Sequence, residues 1–133
     1  MDSKTESTDL LFVYGTLRRD LNGRPGSYHH YLRDAEYLGR ARTREEYALY
    51  AEEYAMLVRG RQVCRIAGEV YRIKDKATAA AIDQLEEGYE RVEIPVVLDD
   101  GREISAFVYE APNPAGELIP SGDYADLLKA RSV

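Results

Sequence analysis

Apolar positions fall along this chain in short runs, separated by glycine, proline and charged clusters. Residues 10–14 (LLFVY) are apolar without a break and stop at Gly15, the pattern of a short strand buried on both faces. Residues 37–43 predict a second strand. Between 62 and 73, Val63, Ile66, Val70, Tyr71 and Ile73 mark a third, with Gly68 inside it as a bulge or a point of close backbone approach. Residues 92–98 and 104–109 are two further apolar runs around DDGRE. Asp100-Gly101 between them signals a hairpin, because such a pair accepts the positive φ of a tight turn. Helical spacing is clearest after Asp75, which is placed to cap a helix running to about Glu86 with Ala79, Ile82 and Leu85 on its core face. Residues 21–27 (LNGRPGS) read as a loop, Ser27 as the cap of a short helix over 28–35, and PSGDYADLLKA as a terminal helix or turn starting at Ser121 or Asp123. The segment 44–61 reads two ways. Its glutamates and alanines suit a helix, whereas Tyr47, Leu49, Met56 and Val58 alternate like two short strands.

This order predicts an α+β fold: a strongly bent mixed sheet or small barrel of about six strands, with one main helix and short flanking helices. Regular βαβ alternation is absent. The 133 residues match one compact domain over 10–133, after a polar tail over 1–9 expected to be disordered. Eleven tyrosines against two phenylalanines and no tryptophan suit walls that are apolar in body and polar at the tip.

Charge narrows the partners. A net charge of −6 argues against a nucleic-acid surface. Arg18, Arg19, Arg40, Arg42, Arg44, Arg59 and Arg61 alternate with acids and read as a solvated face. The single cysteine, Cys64, rules out an intrachain disulfide and reads as a buried inert thiol. No run approaches the roughly 20 apolar residues a membrane span needs, and the N-terminus lacks a signal-peptide core. The expectation is a soluble cytoplasmic protein with no membrane partner.

Two stretches could carry chemistry. At Tyr14-Gly15-Thr16-Leu17 the chain leaves a central strand through glycine, so several backbone N–H groups can face one way and accept a carboxylate or phosphate. The glycine and lysine spacing of a phosphate loop is absent. In IDQLEEGYERVEI, Glu86 and Glu87 sit at a helix C-terminus, where the dipole disfavours acids. A partly buried carboxylate there would have a raised pKa suited to acid–base work. His29 and His30 fall on a surface helix, point to different faces and form neither a triad nor a metal site. Asp83 reads as a cap or brace of the turn after Leu85, Arg91 as a partner of an acid near the site, and Tyr71 and Tyr89 as core or wall residues.

Taken together, Tyr14-Gly15-Thr16-Leu17, GEVYRI, IDQLEEGYERVEI and SAFVYEA resemble the gamma-glutamylcyclotransferase-like superfamily, which includes gamma-glutamylamine cyclotransferases. The resemblance spans about residues 10–127. It implies a barrel-like fold, strands or loop over 44–61, and a loop Tyr14, Gly15, Thr16, Leu17 that holds a glutamyl α-carboxylate. It further implies Glu86 as the acid/base and Tyr109 as a cavity wall; Arg91 and Tyr89, read from their own positions, are expected to support them. The implied reaction releases 5-oxoproline and an amine or amino acid from a small γ-glutamyl substrate, with no cofactor and no metal. The sequence departs from the pattern where Glu87 intervenes between Glu86 and Gly88, leaving Glu87 as the alternative carboxylate, and where RRDLNGRPGSYHH replaces the usual Gly and Asn-His. A non-catalytic module that binds a small carboxylate on the same fold is the rival reading. An exposed strand edge would suit a homodimer, without any residue pattern demanding one.

Overall fold

The computed structural model describes residues 10–15, 17–18, 29–51, 55–111 and 116–126. The expected N-terminal tail, the 21–27 loop, the Ser27 cap and Thr16 lie outside the described residues. The first apolar run forms β1 (Leu10–Val13). Leu11 and Val13 enter one apolar cluster and Phe12 another, so both faces are covered and the run carries no polar residue. β1 pairs antiparallel with β5 (Ala67–Arg72) and parallel with β7 (Glu103–Glu110), the latter through Leu11 and Phe107. β5 pairs with β2 (Glu36–Thr43), β2 with β6 (Glu90–Leu98), and β6 with β7, all antiparallel. Since β7 returns to β1, the strands β1-β5-β2-β6-β7 close into a small barrel.

The ambiguous segment contributes two strands, β3 (Ala48–Ala51) and β4 (Ala55–Val58). They form an antiparallel pair, and β4 extends the barrel wall by pairing parallel with β7 at Leu57 and Glu110. Ala48, Leu49, Ala51, Ala55 and Leu57 are all buried, which a solvent-facing helix rich in glutamate would not permit. A two-residue strand β8 (Glu117–Leu118) adds to the edge of β3. The fold is the expected α+β bent barrel, with eight strands among the described residues where the hydropathy pattern gave about six.

Four local readings change. The strand expected over 62–73 is only β5, because the preceding residues spend their backbone groups elsewhere. Tyr47 and Cys64 form an isolated bridge, and Thr43 exchanges bonds with Ile66 through its N–H (2.9 Å) and its hydroxyl (2.8 Å). The expected helix over 28–35 is a 3-10 turn, His29–Leu32, that buries Leu32. Cys64 is half-buried rather than buried. Arg18 is not on the solvated face: it is 1% exposed and its Nη1 donates to Asp123 Oδ1 at 2.7 Å.

Gly68 is the point of close approach. A side chain there would place its Cβ 2.2 Å from the carbonyl oxygen of Val13. The hairpin between β6 and β7 turns at Gly101 with φ of 93°. Helix α1 (Lys76–Leu85) starts where Asp75 Oδ1 accepts from Thr78 N at 2.6 Å. It buries Ile82 against Leu11, Val13, Tyr71 and Tyr109, with Leu85 packed on the same cluster. Asp123 begins the terminal helical turn, accepting from Ala125 N at 2.9 Å. No helix among the described residues is long and apolar enough to cross a membrane.

Candidate active site

The end of β1 is tied down from three sides. The Tyr14 hydroxyl donates to the Tyr109 carbonyl at 2.6 Å and accepts from Leu57 N at 3.1 Å. It thus stands inside the β4–β7 ladder, where β1 leaves β7 and β4 takes its place. Gly15 lies so close to β4 that a Cβ would come 2.9 Å from that of Ala55. The chain then turns, with Arg18 N donating to the Gly15 carbonyl at 3.0 Å. The Leu17 carbonyl accepts from His29 Nδ1 at 3.0 Å. The bend is held by buried and half-buried partners.

Glu86 reaches the same place from the end of α1. It is the C-cap, with its N–H donating to Ile82 O at 2.9 Å and its carbonyl accepting from Tyr89 N at 3.0 Å. Gly88, at φ 95°, supplies the left-handed step that returns the chain to β6. That step falls two residues after Glu86, so the intervening Glu87 is accommodated as part of the turn. Tyr14, Gly15, Leu17, Ala55, Glu86, Tyr89 and Tyr109 surround one hollow of about 190 Å³.

Burial raises the Glu86 carboxyl to a pKa of about 7, since removal from water disfavours the charged form. Among the described residues no cation pairs with it. Glu87 also borders the hollow but is exposed. The Tyr109 hydroxyl donates to Asp83 Oδ1, and burial together with that bond holds its pKa well above the ordinary tyrosine value. Asp83 in turn pairs with Arg91 Nη1 at 3.8 Å, and the Arg91 guanidinium lies 3.9 Å over the Phe107 ring. The Tyr89 hydroxyl donates to the Ala55 carbonyl at 3.1 Å, anchoring the turn after α1 to β4.

The structure therefore gathers Tyr14, Gly15, Leu17, Glu86, Tyr89 and Tyr109 around one hollow. Arg91 stands behind Tyr109 and reaches it through Asp83. Sequence reasoning missed Ala55, His29 and the buried Arg18. Nothing in the local pattern marks Ala55, and Arg18 sits in a basic pair that reads as surface. A carboxylate that titrates near neutrality, opposite a backbone-lined bend, can exchange a proton with a small ligand anchored at that bend.

The family model for gamma-glutamyl cyclotransferase, AIG2-like, matches residues 11–126. A protein of Methanocaldococcus jannaschii, named provisionally as a gamma-glutamylcyclotransferase, is 37% identical over 123 residues, covering 89% of this chain and 97% of its own. One from Vibrio cholerae, also named provisionally, is 37% identical over 119 residues, covering 86% and 94%. Among solved structures, an uncharacterised protein of Pyrococcus horikoshii superposes with a TM-score of 0.73 at 34% identity, over 94% of this chain and 97% of its own. An AIG2-like protein of mouse gives 0.71 at 28% identity, over 87% of each chain. This chain belongs to the AIG2-like gamma-glutamyl cyclotransferase family.

Proposed function

We propose that the protein is a cyclotransferase that converts a small γ-glutamyl compound to 5-oxoproline and a free amine or amino acid. The observation that carries this reading is the placement of the half-buried Glu86 carboxylate on the same hollow as the bend after β1. The α-carboxylate of the substrate rests against the backbone of Tyr14, Gly15 and Leu17, with Thr16 in the same stretch of chain. Glu86 takes a proton from the α-ammonium, and the freed amine attacks the γ-carbonyl carbon. The new C–N bond closes a five-membered ring, the original amide C–N bond breaks, and Glu86 returns its proton to the departing nitrogen; the ring nitrogen sheds its second proton as it becomes an amide, and the departing amine takes that proton up and leaves as an ammonium. No cofactor enters, because nucleophile and electrophile belong to one molecule and need only be folded into contact. Tyr109 and Tyr89 shape the wall, and Asp83 with Arg91 fixes the Tyr109 ring.

A group that must both take and give a proton works best near the operating pH, and the raised pKa of Glu86 meets that demand. The rate should rise with pH through about 7 as Glu86 ionises. Glu86→Gln should lower 5-oxoproline release by about 10²- to 10⁴-fold while substrate affinity changes little. Chromatographic detection of 5-oxoproline across a panel of γ-glutamyl compounds checks this. Wild-type turnover in the variant would remove Glu86 from the mechanism. Binding without 5-oxoproline release from any compound would leave a carboxylate-binding module.

A further inference from the structure

The bend after β1 is closed by the bond from Arg18 N to the Gly15 carbonyl, the i to i+3 closure of a β-turn. That bond holds the peptide between Leu17 and Arg18 at its N–H. In a trans peptide the carbonyl points the opposite way, and the Leu17 carbonyl accepts from His29 Nδ1 at 3.0 Å. A carbonyl oxygen can only accept, so Nδ1 carries the hydrogen. The peptide is thus gripped at both ends. A turn of this kind leaves the N–H groups of its two central residues outside the closing bond. Leu17, which borders the Glu86 hollow, is one of the two. His29 does not border that hollow and holds the turn from behind.

His29 is itself fixed. It opens the 3-10 turn His29–Leu32, is half-buried, and sets its ring 5.9 Å from that of Tyr71. Tyr71 is buried, and its hydroxyl donates to Glu69 Oε1 at 3.1 Å. Leu17, Leu32 and Tyr71 belong to one apolar cluster, so the bend and the turn that carries His29 rest on the same packed base. His30 goes elsewhere: it is exposed, with its ring 4.9 Å from that of Tyr31. We infer that His29 is a positioning residue for carboxylate binding: by holding the Leu17 carbonyl behind the bend, it keeps the outer N–H groups of the turn aimed into the hollow. The inference rests on the reading of the bend as the seat of the substrate's α-carboxylate. Released from His29, the peptide is free to rotate, and an anion at the bend then meets a carbonyl oxygen for part of the time instead of converging N–H groups. The position needs a donor two bonds beyond Cβ. Asparagine supplies one there, as histidine does at Nδ1, and leucine has the asparagine shape without the donor.

The test separates the donor from the ring. 5-Oxoproline and 2-pyrrolidinone are the same lactam with and without a carboxylate. Each is titrated into the wild type, His29→Asn and His29→Leu, and binding is followed by backbone amide NMR shifts. The wild type should bind the acid about tenfold more tightly than the plain lactam. His29→Asn should keep that preference to within about twofold, whereas His29→Leu should lose about fivefold of it. Affinity for 2-pyrrolidinone should be the same in all three proteins. If His29→Leu fails to fold, His29→Phe, which keeps a ring against Tyr71, takes its place with the same expectation. An undiminished preference in the donor-free variant overturns the positioning role and leaves the cyclotransferase reading intact. An equal loss in His29→Asn and His29→Leu overturns it too, because the ring rather than the donor would then matter. A wild type that binds the two compounds equally, or neither, removes the carboxylate from the bend and takes both readings with it.

Discussion

The raised pKa of the Glu86 carboxyl carries a cost in stability. Its folded pKa of about 7 lies above the 4.5 of the free side chain. Between those values the folded protein holds a proton that the unfolded chain has released, so stability falls as pH rises through that window. The loss is complete above about 7 and amounts to about 3 kcal/mol for a shift of that size. Glu86→Gln cannot ionise and escapes this penalty. It should therefore be more stable than the wild type at pH 8 by about that amount, with the advantage gone near pH 4. Urea titrations at the two pH values check it. A variant no more stable at pH 8 than the wild type would show a Glu86 carboxylate that is already well solvated in the fold. Position 15 sets a steric limit on the same hollow. Gly15→Ala must displace Ala55 or the bend itself, since the added carbon would lie 2.9 Å from that side chain. Its signature should be a raised KM in the steady-state rate, with the pH dependence of kcat unchanged.

At the scale of the elements, the bend after β1 exists because one strand gives way to another along β7. β1 pairs with β7 at Phe107, and β4 pairs with it at Glu110. The Tyr14 hydroxyl fills the gap between them, relaying from Leu57 N to the Tyr109 carbonyl. Tyr14→Phe removes both bonds and leaves a buried donor and a buried acceptor unpaired, which should cost about 2–4 kcal/mol. Thermal or urea denaturation reads the loss, and a cost under 0.5 kcal/mol would mean that the β4–β7 ladder closes without the hydroxyl. How far these elements were legible follows from how local their causes are. Asp75 and Thr78 form a cap within one turn, and Asp100-Gly101 form a hairpin within one loop, so neighbouring residues announce both. The strands β3 and β4 are held by burial against β7 and β8, which a window of sequence cannot see, and their alanines and glutamates point toward helix instead. The early end of β5 is likewise set from a distance, by the bonds between Thr43 and Ile66.

For the molecule as a whole, the hollow is assembled from residues far apart in the chain, and the motif match located its two principal parts while the clamp behind them stayed hidden. Glu86 and the bend could be named because short, quotable patterns surround each. Arg18 could not, because its partner Asp123 is 105 positions away and nothing near Arg18 marks it as buried. This pair joins the residue that follows the bend to the start of the terminal helical turn, so it couples the site to the far end of the described chain. Burial alone would raise the Asp123 pKa, but the bond and charge of Arg18 outweigh it and hold the carboxyl below its ordinary value. A depressed pKa stabilises the fold above the unfolded value and ceases to do so as pH falls through the folded one. Arg18→Met should therefore cost about 3 kcal/mol at pH 7, where Asp123 is left charged and half-buried. The cost should shrink below pH 4, where Asp123 takes up a proton. If the clamp also positions the bend, the variant should raise KM for a γ-glutamyl substrate with little change in kcat, and Asp123→Asn should do the same. Urea denaturation at pH 7 and pH 3.5, alongside initial rates for both variants, separates the two effects. A stability loss independent of pH would show that Arg18 acts through packing, and an unchanged KM would confine the pair to holding the chain end.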